Sequence, residues 1–327
     1  MTLLVRDEVD VVASQLDYHL AAGVDFVVAM DHNSVDGTAE VLRDYEQRGL
    51  LRLVPAPDED LYAKQGEWVS IMARLAACEH GADWVINADA DEFWYPRRGS
   101  LKEVFEAVPP TFGAIRSLMR PFVPRPDGPE PLFERMVVRH RCQVERTSPY
   151  HFQVKVAHRA VPDVNVAPGN HDAYGSGLRL LRPWIPIEVL HFPLRSGDQM
   201  ERKYRRGSVF KSAHAYAVVD SFAAGGVEDV WSGFIVDEER LQRELASGEV
   251  AIDIRLRDAL RVAQPGGARL DVYDALAESA FEAERAFVAD AALFMETDAA
   301  VQLNLRSADL ETRVSQWGAV RRRRAAR

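Results

Sequence analysis

The sequence predicts an α/β protein with a mostly parallel central sheet and helices on both faces of that sheet. Two observations lead to this fold class. Short apolar runs that suit buried strands alternate with segments of helical periodicity over the first hundred residues, and the links between them are short. The alternation weakens after about residue 110, and from about residue 196 the chain reads mainly as helix. A mainly helical C-terminal region is therefore expected to follow the α/β part.

Short apolar runs predict four strands in the first half of the sheet. They lie at residues 3–5, 26–30, 50–54 and 84–87. Apolar residues at helical spacing follow each of the first three runs. We expect Asp7 to cap the first of these helices and Gly23 to close it.

The second half of the chain gives weaker signals. Prolines between residues 120 and 131 predict an extended loop. Further strands are expected at residues 136–138, 152–156 and 185–192, and further helices at residues 236–249 and 272–295. We divide the chain into an α/β domain of residues 1–215 and a helical region of residues 216–327 with a basic tail.

Composition excludes several classes of protein. The net charge is −10, from 40 basic and 50 acidic residues, which argues against a general nucleic-acid binder. Cys78 and Cys142 are the two cysteines, too few for a disulfide framework or a cysteine-based zinc cluster. The sequence has no run of about 18 apolar residues that would span a membrane. We therefore expect a cytoplasmic protein.

Acidic residues cluster where three predicted strands end. The clusters lie at residues 6–8, 31–36 and 89–92. Ligands of parallel α/β sheets bind outside the carboxyl ends of the strands, so we expect these clusters to converge on one crevice. Within the third cluster, Asp89 and Asp91 are spaced to point the same way from an extended segment. Paired carboxylates without cysteine suit Mn²⁺ or Mg²⁺, although a bare Asp-x-Asp is also common as a solvated acidic turn.

These motifs, in this order, resemble those of the family-2 glycosyltransferases. The resemblance rests on Arg6-Asp7-Glu8, on the turn at residues 31–38 and on the run Asn-Ala-Asp-Ala-Asp-Glu-Phe at residues 87–93. It is greatest for the bacterial branch whose metal motif reads Asp-x-Asp-Glu-Phe. The resemblance implies a GT-A fold, which is Rossmann-like, together with a nucleotide-diphosphate sugar as donor, a divalent cation and inversion at the anomeric carbon.

The resemblance also implies roles for residues near the nucleotide. Asp31 matches the acidic residue that contacts the base, and Asp36 matches the second acidic residue of that turn, where it also suits a helix cap. Arg6 and Glu8 lie at the end of the first strand, beside the nucleotide pocket. Lys64 lies in a region where such enzymes often place a basic residue near the nucleotide.

For the metal, the resemblance implies Asp89 near the ribose and the ion and Asp91 as the principal ligand. A downstream histidine often completes the metal shell in GT-A enzymes. His171 and His191 are the two candidates, and we favour His191 over His171. A structural histidine at a strand end is the alternative for each.

Two basic residues of the second half, Arg195 and Lys203, are candidates for gripping the diphosphate, with a basic solvated helix as the alternative. An inverting transfer also needs a general base. The usual Glu-Asp pair of the family does not stand in an obvious place. Asp172, Asp198 and Asp229 are candidates, and we prefer Asp172 because it adjoins a histidine.

The leading hypothesis is a metal-dependent glycosyltransferase that acts on a carbohydrate, lipid-linked or small-molecule acceptor. One alternative is a catalytically inactive GT-A module that binds carbohydrate or protein. Another is a metal-dependent phosphoryl or nucleotidyl enzyme, against which the absence of a Gly-x-x-x-x-Gly-Lys loop argues. The arginines at residues 321–327 are expected to be a solvated end, with weak contact to anionic lipid at the inner face of the membrane as the alternative.

Overall fold

The computed structural model describes residues 1–57, 61–97, 99–141, 154–181, 184–205 and 213–263. The described strands are β1 Thr2–Val5, β2 Val27–Asp31, β3 Leu51–Val54, β4 Trp84–Ala88, β5 Glu92–Pro96, β6 Ala114–Pro121, β7 Val138–His140, β8 Val154–Arg159, β9 Asn165–Val166, β10 Ala173–Tyr174, β11 Leu180–Leu181, β12 Ile187–His191 and β13 Val250–Ile252. The described helices are α1 Val12–Ala21, α2 Thr38–Gln47, α3 Leu61–Cys78, α4 Leu101–Ala107, α5 Leu132–Arg135, α6 Gly197–Arg205, α7 Ala213–Phe234, α8 Glu238–Ser247 and α9 Arg255–Ala263. A single 3₁₀ turn covers Pro168–Asn170.

The main sheet has the strand order β3-β2-β1-β4-β8-β6-β12-β5, and β11 pairs with β6. Strands β3, β2, β1 and β4 run parallel to one another. Strand β8 runs antiparallel between β4 and β6, and β5 runs antiparallel to β12 at the edge. The sequence prediction of an α/β fold with a mostly parallel sheet is confirmed.

Helices cover both faces of the parallel half because successive strand residues point to opposite sides. Leu3 and Val5 pack in one apolar cluster with Leu16 of α1. Leu4, between them, packs in a second cluster with Trp68 and other residues of α3. Strand β1 is therefore buried on both sides, which explains why its residues form a continuous apolar run in the sequence.

The loop after β1 differs from the prediction. Helix α1 begins at Val12, and Asp7 does not cap it. Asp7 adopts a positive φ of 53°, and its Oδ1 accepts the backbone N–H of Val35 at 2.7 Å. The Asp7 carboxylate is close to this N–H because β1 and β2 are adjacent, so a contact across the sheet replaces the expected local one.

Three strands of the main sheet, β5, β6 and β11, are missing from the sequence prediction. The turn that precedes β5 also differs from the extended segment expected there. The backbone N–H of Glu92 donates to the carbonyl of Asp89 at 3.1 Å and closes a tight turn. Asp89 and Asp91 therefore lie on a turn rather than on an extended strand.

The predicted helical region contains α7, α8 and α9 within its described part, and it also contributes a strand. Strand β13 pairs antiparallel with β7 of the α/β part. The proposed division between residues 215 and 216 falls inside α7, and the two-domain division stays a prediction. The predicted helix at 272–295 and the basic tail at 321–327 lie outside the described residues. Across the described residues, no helix combines the length and the apolar content needed to cross a membrane.

Candidate active site

Strand pairing brings residues that are far apart in sequence to one end of the sheet. In the antiparallel pair of β5 and β12, His191 lies opposite Glu92. The backbone N–H of Phe192 then donates to the carbonyl of Asp91 at 2.9 Å. The end of β12 is thereby fixed against the turn at residues 89–92.

Asp91, Glu92 and His191 form the one group of candidate metal ligands found among the described residues. Their ligand atoms all lie within 4.8 Å of one another. Asp91 and Glu92 are buried, whereas His191 is partly accessible. Carboxylate and imidazole donors in this arrangement suit Mn²⁺ or Mg²⁺.

Asp91 is surrounded by three basic side chains. Its Oδ2 lies 3.1 Å from Lys203 Nζ, 3.6 Å from His191 Nε2 and 3.7 Å from Arg195 Nη1. Burial alone would raise the pKa of Asp91, but the three basic groups outweigh it and hold that pKa well below its usual value. Asp91 is therefore ionised and available as a cation ligand.

Arg195 ties this carboxylate to the loop after β1. Its guanidinium is 1% exposed and contacts Glu8, Asp10 at 2.7 Å and the carbonyl of Phe192 at 2.9 Å. Burial raises the pKa of Glu8 to about 7, although the charge of Arg195 opposes that shift. The ion pair between Arg195 and Glu8 joins the loop after β1 to the segment that follows β12.

Lys155 on β8 is the basic partner of the other two carboxylates of the turn, Asp89 and Glu92. Its Nζ lies 2.9 Å from Asp89 Oδ2 and 2.6 Å from Glu92 Oε1. The amide of Asn170 donates to the other oxygen of Asp89 at 3.3 Å. Burial raises the pKa of Glu92 despite its contact with Lys155. Asp89 is therefore paired with Lys155 and Asp91 with Lys203, so the two carboxylates share no basic partner.

The charges in this network do not balance. The ion pairs described above join five carboxylates and three cations, leaving an excess of two negative charges when every carboxylate is ionised. The carboxylates are Glu8, Asp10, Asp89, Asp91 and Glu92, and the cations are Lys155, Arg195 and Lys203.

Several predicted residues lie outside the ligand group. Asp31 mainly closes its own turn, where its Oδ1 accepts the Ser34 hydroxyl and its Oδ2 accepts the Ser34 N–H at 3.2 Å. Arg6 Nη1 lies 3.1 Å from the Nδ1 of His32 at the same strand ends. Lys64 forms an exposed pair with Glu67 of α3, at 2.9 Å.

Asp36 satisfies the backbone around the start of α2. Its Oδ1 accepts the N–H of Thr38 at 3.0 Å, and its Oδ2 accepts the N–H of Val9 at 3.1 Å. These bonds hold the turn after β2 against the loop after β1. The N-cap of α2 is Gly37, without a side-chain capping bond, so Asp36 holds the turn before the helix rather than capping it.

The segment around His171 lies beside Asp89 rather than beside Asp91. His171 Nδ1 is hydrogen-bonded to the carbonyl of Val154 at 2.7 Å, and within the described chain His171 is outside the ligand group. The Asp172 carboxylate accepts the N–H of Ala173 at 3.0 Å and the hydroxyl of Tyr174 at 3.2 Å. Asn170, in the 3₁₀ turn just before, supplies the link to Asp89.

Sequence reasoning did not identify Glu92, Lys155 or Asp10 as site residues. Glu92 lay within the quoted acidic motif, and its position next to three aromatic residues was a usable signal. Lys155 is a lone lysine in an apolar strand, which is a recognisable sign of a buried ion pair. Asp10 has no comparable signal, because its role depends on Arg195, 185 residues away in the chain.

Comparison with known proteins supplies the enzyme class. Residues 2–111 match the model of glycosyltransferase family 92, which supports the expected glycosyltransferase but not family 2 specifically. No curated protein matches the chain significantly. A crystal structure of S. aureus TarS 1-349 in complex with UDP is 12% identical and aligns over 75% of this chain and 71% of that chain, with a TM-score of 0.35. A second structure of S. aureus TarS is also 12% identical and aligns over 65% of this chain and 40% of that chain, with a TM-score of 0.33.

The family-model match spans β1 to β4, the acidic turn at residues 89–92 and β5. It therefore contains the two carboxylates of the ligand group. On this match the chain is a glycosyltransferase.

Proposed function

We propose that the protein is a metal-dependent enzyme that moves a sugar from a nucleotide-diphosphate sugar to an acceptor hydroxyl with inversion. The observation that carries the proposal is the cluster of Asp91, Glu92 and His191, whose ligand atoms all lie within 4.8 Å of one another. A divalent cation held by these three residues would neutralise the diphosphate and stabilise it as a leaving group. The resemblance implies Asp91 as the principal ligand, which agrees with this assignment, whereas the third ligand here is Glu92 in place of Asp89.

Lys203 is the residue we assign to the diphosphate of the donor. Its side chain is 21% exposed and extends from α6 over Asp91. Arg195 is 1% exposed and fully engaged by Glu8 and Asp10. We therefore assign Arg195 to positioning Glu8 and adding positive charge, rather than to direct contact with the donor.

The nucleotide is assigned to the ends of β1 and β2. Arg6 and Asp31 lie there, and the turn that contains Asp31 is held rigidly by Ser34 and Asp36. A preorganised polar rim lowers the cost of ordering a bound nucleotide. This placement supports the sequence-based assignment of both residues to the nucleotide side of the crevice.

The transfer step requires a base. The acceptor oxygen attacks the anomeric carbon, the bond from that carbon to the diphosphate oxygen breaks, and the electron pair leaves with the nucleoside diphosphate. We assign the acceptor proton to Asp172, whose carboxylate is oriented by the Ala173 N–H and the Tyr174 hydroxyl. Tyr174 is 60% exposed, so this edge is open to an acceptor.

Calorimetry with UDP and GDP, each with and without Mn²⁺, tests the proposal. The wild-type protein is expected to bind one of these nucleotides only in the presence of Mn²⁺. Asp91→Asn should abolish the Mn²⁺-dependent part. Asp44→Asn makes the same charge change on α2, where Asp44 forms an exposed pair with Arg48, and should leave the Mn²⁺-dependent binding unchanged. Equal binding by Asp91→Asn and wild type would refute the metal role of Asp91.

A further inference from the structure

Lys203 occupies an unusual position for a basic residue beside a metal site. Its Nζ lies 3.1 Å from Asp91 Oδ2, the same oxygen that lies 3.6 Å from His191 Nε2. The ammonium also donates to the carbonyl of Pro193 at 3.0 Å. Two oxygen acceptors therefore surround a positive charge next to the candidate ligand group.

The three cations of the site differ in how firmly they are held. Arg195 is 1% exposed and contacts two carboxylates and a carbonyl. Lys155 is 4% exposed and lies between Asp89 and Glu92. Lys203 has one carboxylate partner and 21% exposure, at the end of a flexible four-carbon chain. Lys203 is therefore the cation that can leave at the lowest cost.

We propose that Lys203 is a counter-ion of Asp91 and that a divalent cation displaces it on binding. This inference rests on the proposed metal site. An ammonium and a divalent ion on one carboxylate oxygen repel each other, and the Lys203 side chain is 21% exposed, so its ammonium can turn toward solvent. The released Lys203 then lies beside the ion, where the diphosphate arrives.

The displacement has a consequence for affinity. Part of the favourable energy of metal binding is used to break the contact between Lys203 and Asp91. A hydrogen bond to a charged partner is substantial, so removing the lysine should strengthen Mn²⁺ binding by about tenfold or more. The same change removes the group that we assign to the diphosphate, so nucleotide binding should weaken while binding of Mn²⁺ alone strengthens.

Calorimetric titration with Mn²⁺ alone, compared between wild type and Lys203→Met, tests the inference. Lys102→Met is the matched control, since it removes the same charge from a lysine of α4 that forms an exposed pair with Asp25. Tighter Mn²⁺ binding by Lys203→Met alone supports displacement. Unchanged or weaker binding by Lys203→Met, with normal wild-type binding, overturns it and leaves the metal site intact. Failure of every variant and of wild type to bind Mn²⁺ overturns the metal site as well.

A structure with Mn²⁺ separates displacement from simple electrostatic repulsion. Displacement predicts that Lys203 Nζ moves more than about 4 Å from Asp91 Oδ2, beyond the range of an ion pair. Lys203 remaining in contact with that oxygen beside the bound ion would overturn the inference, whatever the affinities. This measurement uses the wild-type protein and does not depend on the folding of a variant.

Discussion

Lys155→Met should destabilise the protein strongly, because the acidic turn depends on this cation. The Lys155 side chain is 4% exposed, and its ammonium bridges Asp89 and Glu92 at 2.9 and 2.6 Å. Methionine fills a similar volume but leaves both carboxylates without that partner. Removing one member of a buried ion pair costs about 3–5 kcal/mol, since the other charge stays buried. The Asp89 side chain is 30% exposed, so we expect the lower end, about 3 kcal/mol.

Urea unfolding followed by circular dichroism measures this loss. Adding Glu92→Gln to the variant removes the more deeply buried of the two charges and should restore about 1–2 kcal/mol. Lys102→Met, in an exposed pair, should change stability by about 1 kcal/mol or less. A Lys155→Met protein within about 1 kcal/mol of wild type would refute the claim that the internal cations hold this turn.

Three further predictions concern other parts of the fold. Burial lowers the pKa of His19 and of His158 to about 4, so the unfolded chain binds more protons below the usual histidine pKa and stability falls as the pH falls. The free energy of unfolding should drop by about 2 kcal/mol per histidine between pH 7 and pH 5, and a level profile would contradict this. Glu188→Gln should cost about 3 kcal/mol or more in urea unfolding, because the buried Glu188 carboxylate neutralises several guanidinium groups; a loss below about 1 kcal/mol would argue against that role. Gly66→Ala should lower the melting temperature, because a Cβ there would lie 2.8 Å from the carbonyl of Val166; an unchanged melting temperature would show that this contact relaxes freely.

The parallel half of the sheet could be predicted because its signals are local. Strands β1 to β4 begin and end within about one residue of the apolar runs that predict them. Burial on both faces requires continuous apolar residues, so the pattern is visible without knowledge of the partners. The same parallel arrangement predicts that the acidic residues at the strand ends converge. The structure brings two of them, Glu8 and Asp91, into one network through Arg195.

Two of the missing strands, β5 and β6, contain charged residues whose partners are distant in sequence. Strand β6 contains Arg120, which is fully buried and pairs with Glu188 of β12, 68 residues away. A single sequence shows only that an arginine interrupts an apolar run, which favours a loop. Strand β5 begins at Glu92, inside the acidic motif, so the sequence pattern assigns this residue to the motif rather than to a strand.

The separation of Asp89 from Asp91 has a similar origin. The alternation of an extended chain predicts that both carboxylates point the same way. The hydrogen bond from Glu92 to Asp89 closes a turn instead, and Lys155 from β8 then takes Asp89 and Glu92. The position of Lys155 depends on the antiparallel insertion of β8 between β4 and β6, and sequence order alone does not reveal that topology.

Turnover of nucleotide sugars tests the central claim most directly. A panel of nucleotide-diphosphate sugars is incubated with the protein in Mn²⁺ or in EDTA, and release of the nucleoside diphosphate is measured. The proposed function predicts release from at least one donor with Mn²⁺, none with EDTA, and none by a folded Asp91→Asn variant. Normal release by Asp91→Asn, or equal release in EDTA, would contradict it.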